Sequence, residues 1–109
     1  MPASGETRAL RWDSRPYSAG NGVLVDRPGR LYCARMVMQG TGNAQQVAVL
    51  RDDTTATAGA GAPLLVLDAM NGSPDDWPKT PVSVAFLHGI KVEWVGTATA
   101  AVFVGWEPD

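Results

Sequence analysis

From Arg30 to Trp106 the chain is a succession of short apolar runs broken by glycine, proline, asparagine and aspartate. That rhythm constrains the fold more than any other feature. Runs of this length between turn formers suit strands and are short for helices. No window carries helical periodicity. The runs recur at the roughly 8–12 residue spacing of an all-β sandwich or barrel, and 109 residues fit one domain.

Gly22–Val25 reads as a short strand and Asp26-Arg27-Pro28-Gly29 as a turn. Arg30–Met38 is the clearest strand of the first half. Leu31, Cys33, Arg35 and Val37 share one face, and Tyr32, Ala34, Met36 and Met38 share the other. The second set is uniformly apolar and is expected to face the core. After the turn cluster Gln39–Asn43, Gln45–Arg51 returns as a strand, so the two are expected to pair as a hairpin. Asp52–Ala62 has the composition of a mobile surface loop. Pro63–Met70 is expected to be a buried strand, and Asn71–Pro81 is a second long loop with three prolines and Trp77. Val82–Leu87 and Ile90–Val95 flank His88-Gly89, the pattern of a tight hairpin. In Ala98–Trp106, Val102, Val104 and Trp106 share a face. The expected architecture is all-β: a single antiparallel β-sandwich, jelly-roll-like or Ig-like, of about seven strands over residues 21–109. Residues 1–20 are expected to form an extended N-terminal arm, with Pro16 biasing Arg15 away from helix.

Composition excludes several classes of function. The net charge is -2, and the basic residues cluster only at Arg8, Arg11 and Arg15. Phosphate-driven nucleic-acid binding needs a larger basic face, so the cluster reads as a solvated arm or as one that docks on an acidic partner surface. A single cysteine cannot form an intramolecular disulfide. Cys33 sits in an apolar strand pattern and is expected to be a buried structural thiol. Residues 1–20 lack the apolar run of a signal peptide, and no stretch approaches a membrane span.

Chemistry is sparse. His88 is the one histidine, and it lies in a turn with nothing like a nucleophile elbow nearby. Asp52-Asp53, Asp68, Asp75-Asp76 and Glu93 supply carboxylates but no glycosidase pair is recognisable. There is no EF-hand spacing, and one Cys with one His makes no standard zinc site. Gly20-Asn21-Gly22 lacks the lysine and helix of a phosphate loop. No enzyme activity, cofactor or metal is therefore expected. The four tryptophans (Trp12, Trp77, Trp94, Trp106) are the other resource. Trp94 and Trp106 lie in strands; Trp12 and Tyr17 could anchor the arm; Trp77, on a loop, could be an interface anchor.

Residues Arg15-Pro16-Tyr17-Ser18-Ala19-Gly20-Asn21-Gly22-Val23-Leu24-Val25, followed by Pro28-Gly29-Arg30-Leu31-Tyr32, carry a resemblance. The stretch resembles small structural proteins of tailed bacteriophages, in which a small-Gly-X-Gly segment leads into Pro-Gly-Arg-Leu-Tyr and then a β-sandwich. The motif covers roughly the first third of the chain, and strand rhythm alone covers the rest. The resemblance implies a virion structural protein, foremost a capsid decoration or cement protein that stabilises the head by binding the major capsid protein lattice. It also implies a homo-oligomer, with a trimer among the arrangements, made in the host cytoplasm and located on the capsid surface, with no nucleic-acid or membrane partner. The family offers no catalytic residues to carry over. Arg8, Arg11, Trp12, Arg15, Tyr17 and Trp77 are the candidate partner-binding residues. The alternatives are a tail component and a carbohydrate- or receptor-binding module.

Overall fold

A computed structural model describes residues 10–40, 44–70 and 83–109. Eight strands are present among them: β1 (Arg11–Pro16), β2 (Gly22–Val25), β3 (Gly29–Met38), β4 (Gln45–Asp52), β5 (Ala62–Met70), β6 (Val84–Phe86), β7 (Ile90–Trp94) and β8 (Ala100–Pro108). A single 3-10 turn at Tyr17–Ala19 joins β1 to β2. The strands form two four-stranded sheets in the orders β1-β8-β3-β6 and β2-β7-β4-β5, with every pairing antiparallel. The all-β, antiparallel expectation is met, with eight strands where about seven were expected.

The eighth is β1. Residues 11–16, expected to belong to an arm, pair with β8 from Arg11 opposite Trp106 to Pro16 opposite Ala101. The segment is extended, and it is an edge strand of the first sheet.

Connectivity also departs from the hairpin reading. The chain passes between the sheets at almost every step, and only β4 to β5 stays within one. β3 and β4 do not pair; they lie in different sheets. Nor do β6 and β7 pair. A tight hairpin at His88-Gly89 needs positive φ in the turn, and Gly89 is not among the glycines with positive φ. The 87–89 corner instead donates its backbone N–H groups to the Asp52 carboxylate: Leu87 at 2.8 Å, His88 at 2.8 Å and Gly89 at 3.3 Å. An aspartate at the end of β4 thus turns the chain from one sheet to the other.

The core draws on both sheets. Leu31, Ala34, Met36, Phe86, Val102, Val104 and Trp106 from the first are buried with Ala48, Leu50, Leu67, Ala69, Ile90 and Val92 from the second. Burial of each large side chain contributes about 1.5–3 kcal/mol. Phe86 and Trp106 meet with ring centroids 6.0 Å apart. In β3 the expected inward set holds for Ala34 and Met36, but Leu31 is buried and Tyr32 is not. A register shift between Leu31 and Cys33 is the cause. One extra residue reverses the facing of everything before it. Gln46, fully buried, is satisfied: Nε2 donates to the Ala98 carbonyl at 2.8 Å, and Oε1 accepts from Val47 N and Gly96 N at 2.9 and 2.7 Å.

Candidate interaction surface

Strand alternation sends one set of side chains out of the first sheet, because Val102, Val104 and Trp106 point inward. Register arranges that set in rows. Trp12, Gly105 and Cys33 lie side by side across β1, β8 and β3, and Ser14, Phe103 and Arg35 form the next row. Gly105 leaves a gap at the centre. A Cβ there would come within 2.5 Å of Cys33 Sγ and 2.9 Å of the Trp12 ring, so the indole occupies the space a side chain would need, as aromatics do over sheet glycines. Trp12 is still 64% exposed and Phe103 39%. Trp12, Cys33, Arg35, Val37 and Phe103 line a shallow hollow of about 370 Å³. Burial pushes the Cys33 thiol up, against a lowering hydrogen bond from the Gly105 backbone. The thiol therefore stays protonated and packs as an apolar group. It is half-buried on the outer face, outside the core expected for it.

Arg11, Asp13 and Arg15 of β1 face the other way. Arg11 lies over the Trp106 ring at 5.7 Å, and Asp13 Oδ2 accepts from Trp106 Nε1 at 2.7 Å. Arg15 donates to three carbonyls, Gly20, Ala19 and Asn21, at 2.7, 2.8 and 3.1 Å. A side chain at Gly22 would collide with that guanidinium, which gives the glycine of the Gly-X-Gly segment a local structural purpose. Tyr17 meets Trp94 edge-on at 5.6 Å, while Trp94 Nε1 donates to the Gly20 carbonyl at 3.1 Å and Asn21 Oδ1 accepts from Trp94 N at 2.8 Å. Four of the six candidate residues thus gather around β1, but only Trp12 among them belongs to the outer hollow. Arg8, Trp77 and the 71–81 loop lie outside the described residues.

The outer face of the second sheet carries a charged cluster that the sequence did not announce. Lys91, 2% exposed, places Nζ 2.6 Å from Asp53 Oδ2, 2.7 Å from the Thr57 carbonyl and 3.6 Å from Glu93 Oε2. Glu93 accepts from Arg51 Nε at 2.6 Å and from Gly59 N at 2.7 Å, and Arg51 Nη1 donates to the Gly61 carbonyl at 3.1 Å. The 53–61 segment, expected as a mobile loop, is tied to the sheet by these bonds. The Lys91 and Thr55 hydrogen bonds hold the Asp53 carboxyl down at about 2. The Gly59 N–H, then Arg51 and Lys91, hold Glu93 below the usual carboxylate range despite burial. Burial raises Asp52, but the three corner N–H groups and His88 outweigh it and leave the net shift downward. Finding the cluster from sequence needed the register that sets Arg51 opposite Lys91 and Val49 opposite Glu93. The outward direction of Phe103 was readable, since Val102 and Val104 flank it.

Among the described residues, no group of three or more His, Cys, Asp or Glu is placed to hold a metal. His88 Nδ1 lies 3.4 Å from Asp52 Oδ1 on an exposed corner. In comparisons with known proteins, no family model, curated protein or solved structure matches this chain.

Proposed function

We propose that this chain is a structural protein of a tailed-bacteriophage virion, a decoration or cement protein that docks the outer face of its first sheet on the major capsid protein lattice. The observation that carries the reading is Trp12. Trp94 and Trp106 use their indole N–H groups on Gly20 and Asp13 inside the fold. Trp12 is instead laid across Gly105 and left exposed beside Phe103. A large, pre-positioned aromatic on an apolar floor is the kind of group that dominates interface energies. Repetition over a symmetric shell multiplies a modest contact of this kind.

We further read the two sheets as the faces of one jelly roll. The orders 1-8-3-6 and 2-7-4-5 are what two interlocked Greek keys give, and the shared core is consistent with face-to-face packing. Viral shell proteins and lectins both use that architecture, so the support it lends is by fold-level analogy. The resemblance of residues 15–32 to phage structural proteins favours the virion.

Gold-labelled antibody on intact particles of the encoding phage tests the reading. Label spread over the heads is expected. Label confined to the tail would replace decoration by a tail role, and unlabelled particles would overturn the proposal. A glycan array provides the other arm: saturable binding lost in Trp12→Ala would assign the face to a carbohydrate or receptor.

A further inference from the structure

Among the described residues the two sheets present four edges: β1 and β6 in the first, β2 and β5 in the second. Unpaired edges template association, and proteins blunt them by shortness, charge, proline or bulges. Three of the four edges are blunted in these ways. β6 has three residues. β2 has four, with a register shift between Val23 and Val25. β1 alternates Arg11, Asp13 and Arg15 and ends on Pro16.

β5 is different. It runs nine residues, Ala-Pro-Leu-Leu-Val-Leu-Asp-Ala-Met. Its single charge, Asp68, already accepts from Gln45 Nε2 on β4 at 2.9 Å. Its proline is the second residue, and its irregularity, opposite Leu50 and Arg51, sits at that same end. Beyond it, Val66 is 50% and Met70 44% exposed.

We propose that β5 pairs antiparallel with β5 of a second copy of this chain, about a two-fold axis at Val66, joining two β2-β7-β4-β5 sheets into one eight-stranded sheet. Another strand completes an open edge, because the outward N–H and C=O groups, otherwise held by water, are a ready template for a ladder. An antiparallel edge is complementary to itself: the two-fold maps donors onto acceptors. The chain's other described edges are too short or too charged to be the counterpart. An axis at Val66, the middle residue, uses the full strand. It sets Val66 opposite its equivalent, Leu65 opposite Leu67 of the second copy, and Leu64 opposite Asp68. The two Asp68 positions then lie about 14 Å apart along the ladder, four residues at about 3.4 Å each, clear of the directly opposed like charges that weaken a sheet. The pairing does not rest on the virion reading, since docking through Trp12 uses the other sheet.

Sedimentation velocity on the full chain over a range of concentrations tests it. A reversible monomer–dimer equilibrium is expected, weakened roughly tenfold or more by Val66→Lys, which sets two ammonium groups side by side at the axis. Mild oxidation of Val66→Cys should crosslink the dimer through that position, because opposed Cβ atoms lie about 4.5–5.5 Å apart; Asp68→Cys should not crosslink to itself. Peptide mapping separates these bonds from any formed by Cys33. A monomer at every concentration overturns the proposal and leaves capsid docking intact. So does a dimer that Val66→Lys leaves unchanged, or one that crosslinks through Asp68→Cys and not Val66→Cys. Should the lysine variant fail to fold by circular dichroism, the two cysteine variants decide.

Discussion

The two outer faces begin from the same strand alternation and end differently. On the second sheet, outward Lys91, Glu93 and Arg51 are covered by the 53–61 segment, whose Asp53, Thr57, Gly59 and Gly61 bond to them. On the first, outward Trp12, Cys33 and Phe103 surround a glycine and stay open. Charged groups on a sheet face can be closed over by backbone, because carbonyls and amides satisfy them. The first sheet's hollow is mostly carbon and sulfur, from Trp12, Cys33, Val37 and Phe103 beside Arg35, and offers a loop fewer groups to bond. The chemistry of the outward residues thus separates a face sealed by its own chain from one available to another.

The sharpest way to break this contrast is to remove the central cation. Lys91→Met deprives Asp53 and the Thr57 carbonyl of their shared donor in a site where Lys91 is almost fully buried. Loss of one partner from a buried pair is more damaging than replacing both. A fall in the melting midpoint on the order of 10 °C is expected, with faster proteolytic cleavage within 53–61. An unchanged melting curve and cleavage rate would show that the loop is held by something other than this cluster.

Next in size is Gly105→Val, aimed at the open face. The new side chain would meet Cys33 Sγ and the Trp12 ring. Overpacking of this kind costs about 1–3 kcal/mol, read as a lowered denaturant midpoint. The displaced indole should also become more accessible to a fluorescence quencher, and capsid occupancy should fall. A variant as stable as the parent would mean that the glycine is not what seats the tryptophan.

Acid distinguishes the faces without mutation. Asp53 titrates at about 2 in the folded chain against an ordinary value of 3.8. A depressed carboxylate contributes stability that is complete above the unfolded value and is lost as pH falls through the folded one. The clasp should therefore loosen between about pH 4 and pH 2, with Asp52 and Glu93, shifted in the same direction, adding to the effect. Protection against hydrogen exchange in 53–61, taken relative to the intrinsic rate at each pH, should fall over that window while β8 and β3 remain protected. Uniform loss of protection across both sheets would remove the distinction.

How much of this could be read in advance follows from what each signal encodes. Short apolar runs between turn residues located β2 to β8, and alternation grouped Val102, Val104 and Trp106 on one face of β8, because period two survives in any sheet. Turn residues marked where the chain reverses but not which sheet the next strand joins, so the β3–β4 and β6–β7 reversals were read as hairpins. The bond from Asp52 to 87–89 spans more than thirty residues, beyond any local pattern. β1 was hidden for another reason. Its polar residues Arg11, Asp13 and Arg15 face inward and its tryptophan faces out, the reverse of an ordinary strand, because Trp106 and the 19–21 carbonyls supply inward partners. The candidate set found Trp12 by residue type alone; that it stands apart from Arg11, Arg15 and Tyr17 needed the register. β1 also changes the meaning of a truncation, since deleting residues 1–20 removes an edge strand along with everything before it.

The smallest effect on stability should come from Trp12→Ala, and that smallness makes it informative. Two thirds of the residue is already in solvent, so its removal should cost about 1 kcal/mol or less. It exposes Gly105 and Cys33 but leaves the inward bonds of Arg11, Asp13 and Arg15 in place. Hot-spot tryptophans lose about 2 kcal/mol or more of binding when truncated, so affinity for capsids lacking the chain should fall by roughly thirtyfold at nearly constant melting temperature. Phe103→Ala, at the margin of the same hollow, should give a smaller loss. A folded Trp12→Ala chain that still decorates capsids at full occupancy would detach the open face from docking. An equally large loss from Lys91→Met, beyond what its instability explains, would transfer the role to the sealed face.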